Sequence, residues 1–174
     1  CRVSRVSTWS RLWANKWARR ALTAVMLLVL FLGLRTWQQR TLVHGTAPSL
    51  SASALSGDYL VLGIGTKPTL VYFWASWCGI CRLKEGAMES IARDHKVISV
   101  ALTSGDDAEV RRYLASRGLK LPVINDPDGK ISNQWGVRAT PTSFIVDTRN
   151  RIRFHEVGYT TEWGLRFRLW LAGL

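Results

Sequence analysis

Thr69-Leu70-Val71-Tyr72-Phe73-Trp74-Ala75-Ser76-Trp77-Cys78-Gly79-Ile80-Cys81 is the stretch on which the reading of this chain turns. It opens with an apolar, β-branched and aromatic run of the kind found in a buried strand, expected over Thr69–Ser76. Two cysteines follow, two residues apart, where that strand should turn into a helix. With Cys78 at the helix start and Cys81 one turn in, the pair are i, i+3 neighbours on one helix face. Helical Cα atoms at that separation lie roughly 5 Å apart, within the span of a disulfide. Unsatisfied amides at a helix start favour the Cys78 thiolate, the species that attacks in disulfide exchange.

The chain around this stretch alternates in type. Leu83, Ala87, Met88, Ile91 and Ala92 recur at helical spacing, which predicts a helix from about Gly79 to Asp94. Val97–Leu102 reads as a second buried strand. Asp106 or Asp107 can cap a helix that runs through Arg117 and stops at Gly118. Leu121–Ile124 is a short strand and residues 125–129 a turn, followed by a short helix over 131–137. Thr142–Val146 and Ile152–Val157 form a hairpin. An amphipathic helix near Thr161–Leu171 carries Trp163, Phe167, Trp170 and Leu171 on its apolar stripe. The order β-α-β-α-β, hairpin, α predicts an α/β fold with a mixed central sheet flanked by helices.

Charge is unevenly spread. The first 40 residues hold eight of the 24 Lys and Arg and none of the 12 acidic residues. These cations flank the charge-free run Ala21–Leu34, so the excess does not describe a basic folded face, and no nucleic-acid partner is expected. From Trp17 to Trp37 the run is 21 residues with a tryptophan at each end, and reads as an uncleaved signal anchor. A cleaved signal peptide is the rival, but Arg35–Arg40 contains no A-x-A-like site. Six Lys or Arg precede the run and two follow, which places the N-terminus in the cytoplasm and the remainder outside. The expected organisation is a basic cytoplasmic segment (1–16), a transmembrane helix (17–37), a small, polar linker (38–56) and a folded domain (57–174).

Two strings together resemble one family. F73-W74-A75-S76-W77-C78-G79-I80-C81 and G136-V137-R138-A139-T140-P141-T142-S143-F144-I145-V146-D147 are similar to the active site and the cis-proline loop of the thioredoxin superfamily. Within it the chain resembles the membrane-anchored, periplasm-facing TlpA/ResA/DsbE group, and most nearly the suppressor-of-copper-sensitivity D type of protein disulfide oxidoreductase. The resemblance implies a redox disulfide between Cys78 and Cys81. It also implies a cis Pro141 packed against that disulfide, a Thr140 backbone that pairs with substrate, and a Trp77 that borders the exposed sulfur. From sequence alone the Thr140–Pro141 bond would be trans. The implied partners are protein thiols and disulfides of the periplasm and a membrane electron donor or acceptor. The implied location is the bacterial inner membrane, and the implied pathways are copper tolerance or cytochrome c maturation. No cofactor is expected.

The chain departs from the family at three places. Tyr72 stands where thioredoxins carry a buried aspartate, and Val97–Leu102 lacks its lysine partner. Lys84 stands where cytochrome-maturation reductants often carry glutamate, with Glu85 next. The internal general base is therefore open between water and Glu156. The dipeptide between the cysteines is Gly-Ile where thioredoxins have Gly-Pro, and Ile80 brings a backbone N–H expected to reach the Cys78 sulfur.

Other chemistry fits less well. A zinc site would need two more ligands, and Cys1, His44, His95 and His155 have no spacing that supplies them. Arg82 follows Cys81 where haem attachment needs His. Cys1 reads as a bystander thiol, and His95 and His155 as structural residues. Against a thiol–disulfide oxidoreductase stand a dithiol module that binds Cu(I) without turnover, and an adaptor with a fixed structural disulfide.

Overall fold

The structure is a computed structural model that describes residues 16–63 and 65–174. The chain divides into a unit ending at Trp37 and a unit from Gln38 to Leu174. Cys1 and the rest of the basic segment before Lys16 lie outside the described residues.

The described part of the first unit is helical, and the helix, α1 (Lys16–Gln39), ends two residues past it. Its apolar side chains from Leu22 to Leu34 are exposed, including the consecutive Val25, Met26, Leu27 and Leu28, so every side of the helix is apolar. Among the described residues no helix is long and apolar enough to cross a membrane.

The second unit is built on β3 (Thr69–Trp74), buried along its whole length. A strand covered on both faces has no polar side to show, hence its continuous apolar run. The five-stranded sheet has the order β5 (Val123–Asp126), β4 (Lys96–Leu102), β3, β6 (Thr142–Val146), β7 (Ile152–Val157). β4 lies parallel to β3, and β5 parallel to β4. β6 and β7 run antiparallel, as the predicted hairpin. The mixed sheet flanked by helices is the thioredoxin-like fold expected from sequence. Side chains alternate across β3. Leu70, Tyr72 and Trp74 pack with Met88, Ile91, Leu165, Leu169, Cys78 and Cys81, whereas Val71 and Phe73 pack with Trp135 and Phe144.

Three expectations change. The helix predicted over Gly79–Asp94 is two helices, α2 (Gly79–Arg82) and α3 (Glu85–Asp94). The Lys84 N–H donates to the Cys81 carbonyl three residues back at 2.9 Å, a tighter turn than an α-helix. The step turns Leu83 outward, at 73% exposure, and sends Lys84 into the core, at 1%. α4 (Asp107–Arg117) follows expectation: Asp106 forms a capping box with Glu109, and Gly118 ends the helix left-handed. α5 (Lys130–Gln134) matches the short helix.

The second change concerns α6 (Glu162–Ala172). It buries Leu165, Leu169 and Ala172, while Trp163 (82% exposed), Phe167 and Trp170 face outward. The helix carries two apolar stripes, and the one with smaller side chains packs against α3 and the sheet. Arg166 pins that arrangement through Glu162 (2.8 Å) and Asp94 (2.9 Å).

Third, the segment expected as a spacer carries core residues. Leu42, Ala47, Leu50 and Ala54 are buried. The chain runs along β7, where the Ile152 N–H donates to the Gly45 carbonyl (2.7 Å) and the Ala47 N–H to the Asn150 carbonyl (2.9 Å). β1 (Ser51–Ser53) and β2 (Tyr59–Val61) pair with each other, and the Leu55 N–H donates to the Val123 carbonyl of β5 at 2.7 Å.

Gly136 locks this segment to the domain. It has a φ of +67°, and a Cβ there would run into the Thr41 carbonyl. The Thr41 hydroxyl in turn donates to the Gly136 carbonyl at 3.0 Å. We expect Gly136→Ala to lose about 2 kcal/mol or more, combining left-handed strain with the clash. Thermal unfolding should show a Tm lower by roughly 5–10 °C; an unchanged Tm would mean that Thr41 moves aside freely.

Candidate active site

The site forms where β3 ends. Cys78 takes an extended conformation (φ −82°, ψ 108°) as the N-cap of α2, and its sulfur accepts from the Cys81 N–H at 3.2 Å. Cys78 and Cys81 are joined as a disulfide with a Cα–Cα separation of 5.3 Å. The donor expected from Ile80 is thus supplied by Cys81. An N-cap side chain bonds the amide two or three residues on, and here it takes the third. Cys78 is 6% exposed and Cys81 2%.

Sheet register explains how distant residues reach this pair. Phe73 faces Thr142 across the antiparallel β3–β6 pair, so the loop before β6 lies beside the strand end that carries the cysteines. The Thr140–Pro141 bond in that loop is cis, and the Thr140 carbonyl lies 3.6 Å from the Cys78 sulfur. On the other side Trp74 faces Ala101 of β4, which brings up the loop after that strand. The Ser76 N–H donates to the Ser104 hydroxyl at 3.0 Å, and the Trp77 indole N–H to the Thr103 carbonyl at 3.0 Å. Thr103 and Ser104 were missed from sequence. The signal that could have found them is the polar Thr-Ser-Gly after a strand parallel to the cysteine-bearing one.

Trp77 is 61% exposed, and Ile80 and Leu83 also face solvent. The surface next to the buried cysteine pair thus presents apolar side chains, with the Thr140 carbonyl close to the Cys78 sulfur. Tyr72 shares a core cluster with both cysteines, and a buried charge lies beside its ring. The Lys84 ammonium lies 3.4 Å from the Ser143 hydroxyl and 5.2 Å from the centre of the Tyr72 ring. Burial pushes Lys84 down to about 8, against the opposing pull of Glu156. Burial, and then the charge of Glu85, hold the Tyr72 phenol well above its ordinary range. Glu156 is engaged by Arg168 at 2.8 Å.

The histidines sit elsewhere in the fold. His95 ends α3, and burial lowers its pKa. His155 on β7 meets the His44 ring edge-on at 4.7 Å, and burial, then His44, lowers its pKa. Among the described residues no group of three or more His, Cys, Asp or Glu is placed to hold a metal ion.

Residues 46–164, which include the cysteine pair and the Thr140–Pro141 loop, match the Redoxin family. The chain belongs to that family. This redoxin is similar to a thioredoxin-like protein of Haemophilus influenzae, 31% identical over 91% of this chain and 96% of the relative. It is also similar to the thiol:disulfide interchange protein DsbE of Allochromatium vinosum, 34% identical over 83% of this chain and 87% of the relative. Among solved structures it resembles a Chlorobium tepidum protein assigned to DsbE, with 26% identity and a TM-score of 0.67, covering 76% of the redoxin and 99% of that chain. The expected family and thioredoxin-like fold are borne out, and the names of these relatives agree with the expected thiol–disulfide oxidoreductase.

Proposed function

We propose that this redoxin is a membrane-anchored thiol–disulfide oxidoreductase that exchanges the Cys78–Cys81 disulfide with partner proteins on the periplasmic side. The observation that carries the chemistry is the asymmetry of the pair. Cys78 lies at the rim, 3.6 Å from the Thr140 carbonyl, while Cys81 lies behind it. In the reducing direction the Cys78 thiolate attacks one sulfur of a partner disulfide, whose second sulfur leaves as a thiolate. The Cys81 thiolate then attacks the Cys78 sulfur, closing the internal disulfide and releasing the reduced partner. In this reading the Thr140 backbone holds the partner strand, with Trp77 beside the incoming sulfur.

The anchor reading rests on the all-round apolar surface of α1 and the basic residues before it. Its 14-residue charge-free core is short for a bilayer, so Arg19, Arg20 and Arg35 would snorkel to the headgroups. N-terminal sequencing of membrane-extracted protein tests it; a mature terminus beyond residue 37 overturns it. Copper tolerance and cytochrome c maturation are the two pathways the family resemblance supports.

The function is tested with the full chain. Dithiol-driven reduction of insulin should be catalysed, and Cys81→Ala should accumulate a reductant-sensitive mixed disulfide at Cys78 with a disulfide-bonded peptide. Tight Cu(I) binding without disulfide turnover would overturn the reading in favour of a copper-holding dithiol.

A further inference from the structure

Lys84 is the buried charged group that the exchange mechanism above does not use. Lysine is almost never fully buried unless paired. Here, among the described residues, its ammonium makes a single hydrogen-bond contact, the 3.4 Å approach to Ser143. Ser143 pairs with Tyr72 of β3 on one side and Glu156 of β7 on the other, so Tyr72, Ser143 and Glu156 form one cross-strand row beneath the lysine. The backbone of Lys84 is bonded to Cys81, which stands three residues earlier and is equally buried. The other charged groups nearby are committed. Glu156 faces Arg168 of α6 at 2.8 Å, and Glu85 is held by Arg117 at 2.8 Å and by the Tyr113 hydroxyl at 2.6 Å.

We propose that Lys84 is a positioning residue whose buried ammonium sets the redox poise of the Cys78–Cys81 couple. The inference deepens the oxidoreductase reading and rests on it. When a partner dithiol reduces the disulfide, two electrons enter the Cys78–Cys81 bond, which breaks, while the partner's two sulfurs join. The partner's thiol protons pass to solvent or to the released cysteine sulfurs, whichever of these are protonated at the ambient pH. A cation seated over Tyr72, which shares a core cluster with both cysteines, favours the thiolate states of the reduced pair and has no comparable effect on the neutral disulfide. It therefore stabilises the reduced form and makes the couple more oxidising. Screening is weak at this depth, so the charge acts without direct contact. Because Lys84 releases its proton near pH 8, the effect fades as the solution turns alkaline.

The test is equilibration of the full chain with glutathione redox buffers at pH 6 and pH 9. Lys84→Met, which keeps the volume and removes the charge, should lower the equilibrium constant for oxidising glutathione about tenfold at pH 6, or about 30 mV. That gap should close by pH 9. Lys84→Arg keeps its charge at both values, so it should match the wild type at pH 6 and be the more oxidising at pH 9. Equal constants for wild type and Lys84→Met at pH 6, or a gap that ignores pH, overturn the proposal. If Lys84→Met fails to fold by circular dichroism, the wild type and Lys84→Arg decide alone: parallel behaviour from pH 6 to 9 overturns it. Absence of any reversible Cys78–Cys81 couple would instead sink the oxidoreductase reading itself.

Discussion

Cys78→Ala removes disulfide exchange, lowering insulin reduction by about three orders of magnitude or more. The loss follows from how differently the two sulfurs are placed. Cys78 stands at the rim between the Thr140 carbonyl and the exposed Trp77, and accepts the Cys81 N–H. That donor stabilises a thiolate more than a neutral sulfur. Cys81 is the more deeply buried of the two, 2% exposed against 6% for Cys78, which disfavours its approach by a partner disulfide. Deleting Cys78 therefore removes the first bond-forming step, and Cys81 is poorly placed to take it over. Cys81→Ala should differ in kind: the first step survives and the mixed disulfide persists. Iodoacetamide labelling of the single-cysteine variants at neutral pH offers an independent check. Cys78 should react at least about tenfold faster than Cys81. Faster labelling at Cys81 would reverse the assignment.

The second large effect is on stability. Trp135→Ala should cost about 3–5 kcal/mol, measured by chemical denaturation. Trp135 is completely buried on the face of the sheet opposite the cysteines. Its ring meets Phe144 at 4.9 Å and Phe73 at 5.6 Å, and those two meet each other at 5.8 Å. The three rings close a triangle against β3 and β6, the strands that bring the cysteines and the Thr140 loop together. Truncation opens a cavity that rigid neighbours on two strands cannot fill. Against a usual total of about 5–15 kcal/mol, such a loss leaves a marginal protein. Trp135→Phe should retain most of the stability. A loss under about 1 kcal/mol in Trp135→Ala would show that the neighbours collapse into the space.

The central strand, the cysteine spacing and the element order were legible because each is a local pattern. A six-residue run of β-branched, aliphatic and aromatic residues without a charge is hard to read as anything but a buried strand, and Asp106 with Glu109 spells out its own cap. The encounter of Cys78 with Thr140 is not local. It depends on β6 pairing beside β3 and came only through family resemblance. Lys84 was noticed as a departure, but its burial was hidden, since a lysine one turn after Cys81 reads as a solvated helix residue. The tightened turn at Leu83 that reverses this has no signature in periodicity. On α6 the larger aromatic stripe looked like the core, yet Leu165, Leu169 and Ala172 allow the closer approach to α3. Small and polar residues between 38 and 56 masked four buried positions, because isolated apolar residues set no period.

The contacts of that last segment reach both sides of the sheet. Gly45 bonds the outer strand β7, Ala47 bonds Asn150 just before it, and Leu55 bonds the outer strand β5. One continuous stretch of about ten residues thus covers part of both rims, which would otherwise offer unpaired amides and carbonyls to any extended chain. Under the proposed function, covering these edges leaves fewer places where a partner strand can add to the sheet. It follows that a fragment beginning at residue 57, where composition alone would cut, would lose these covers together with Leu42, Ala47, Leu50 and Ala54. Such a fragment would be sticky at both margins, so a soluble form is better started ahead of Thr41.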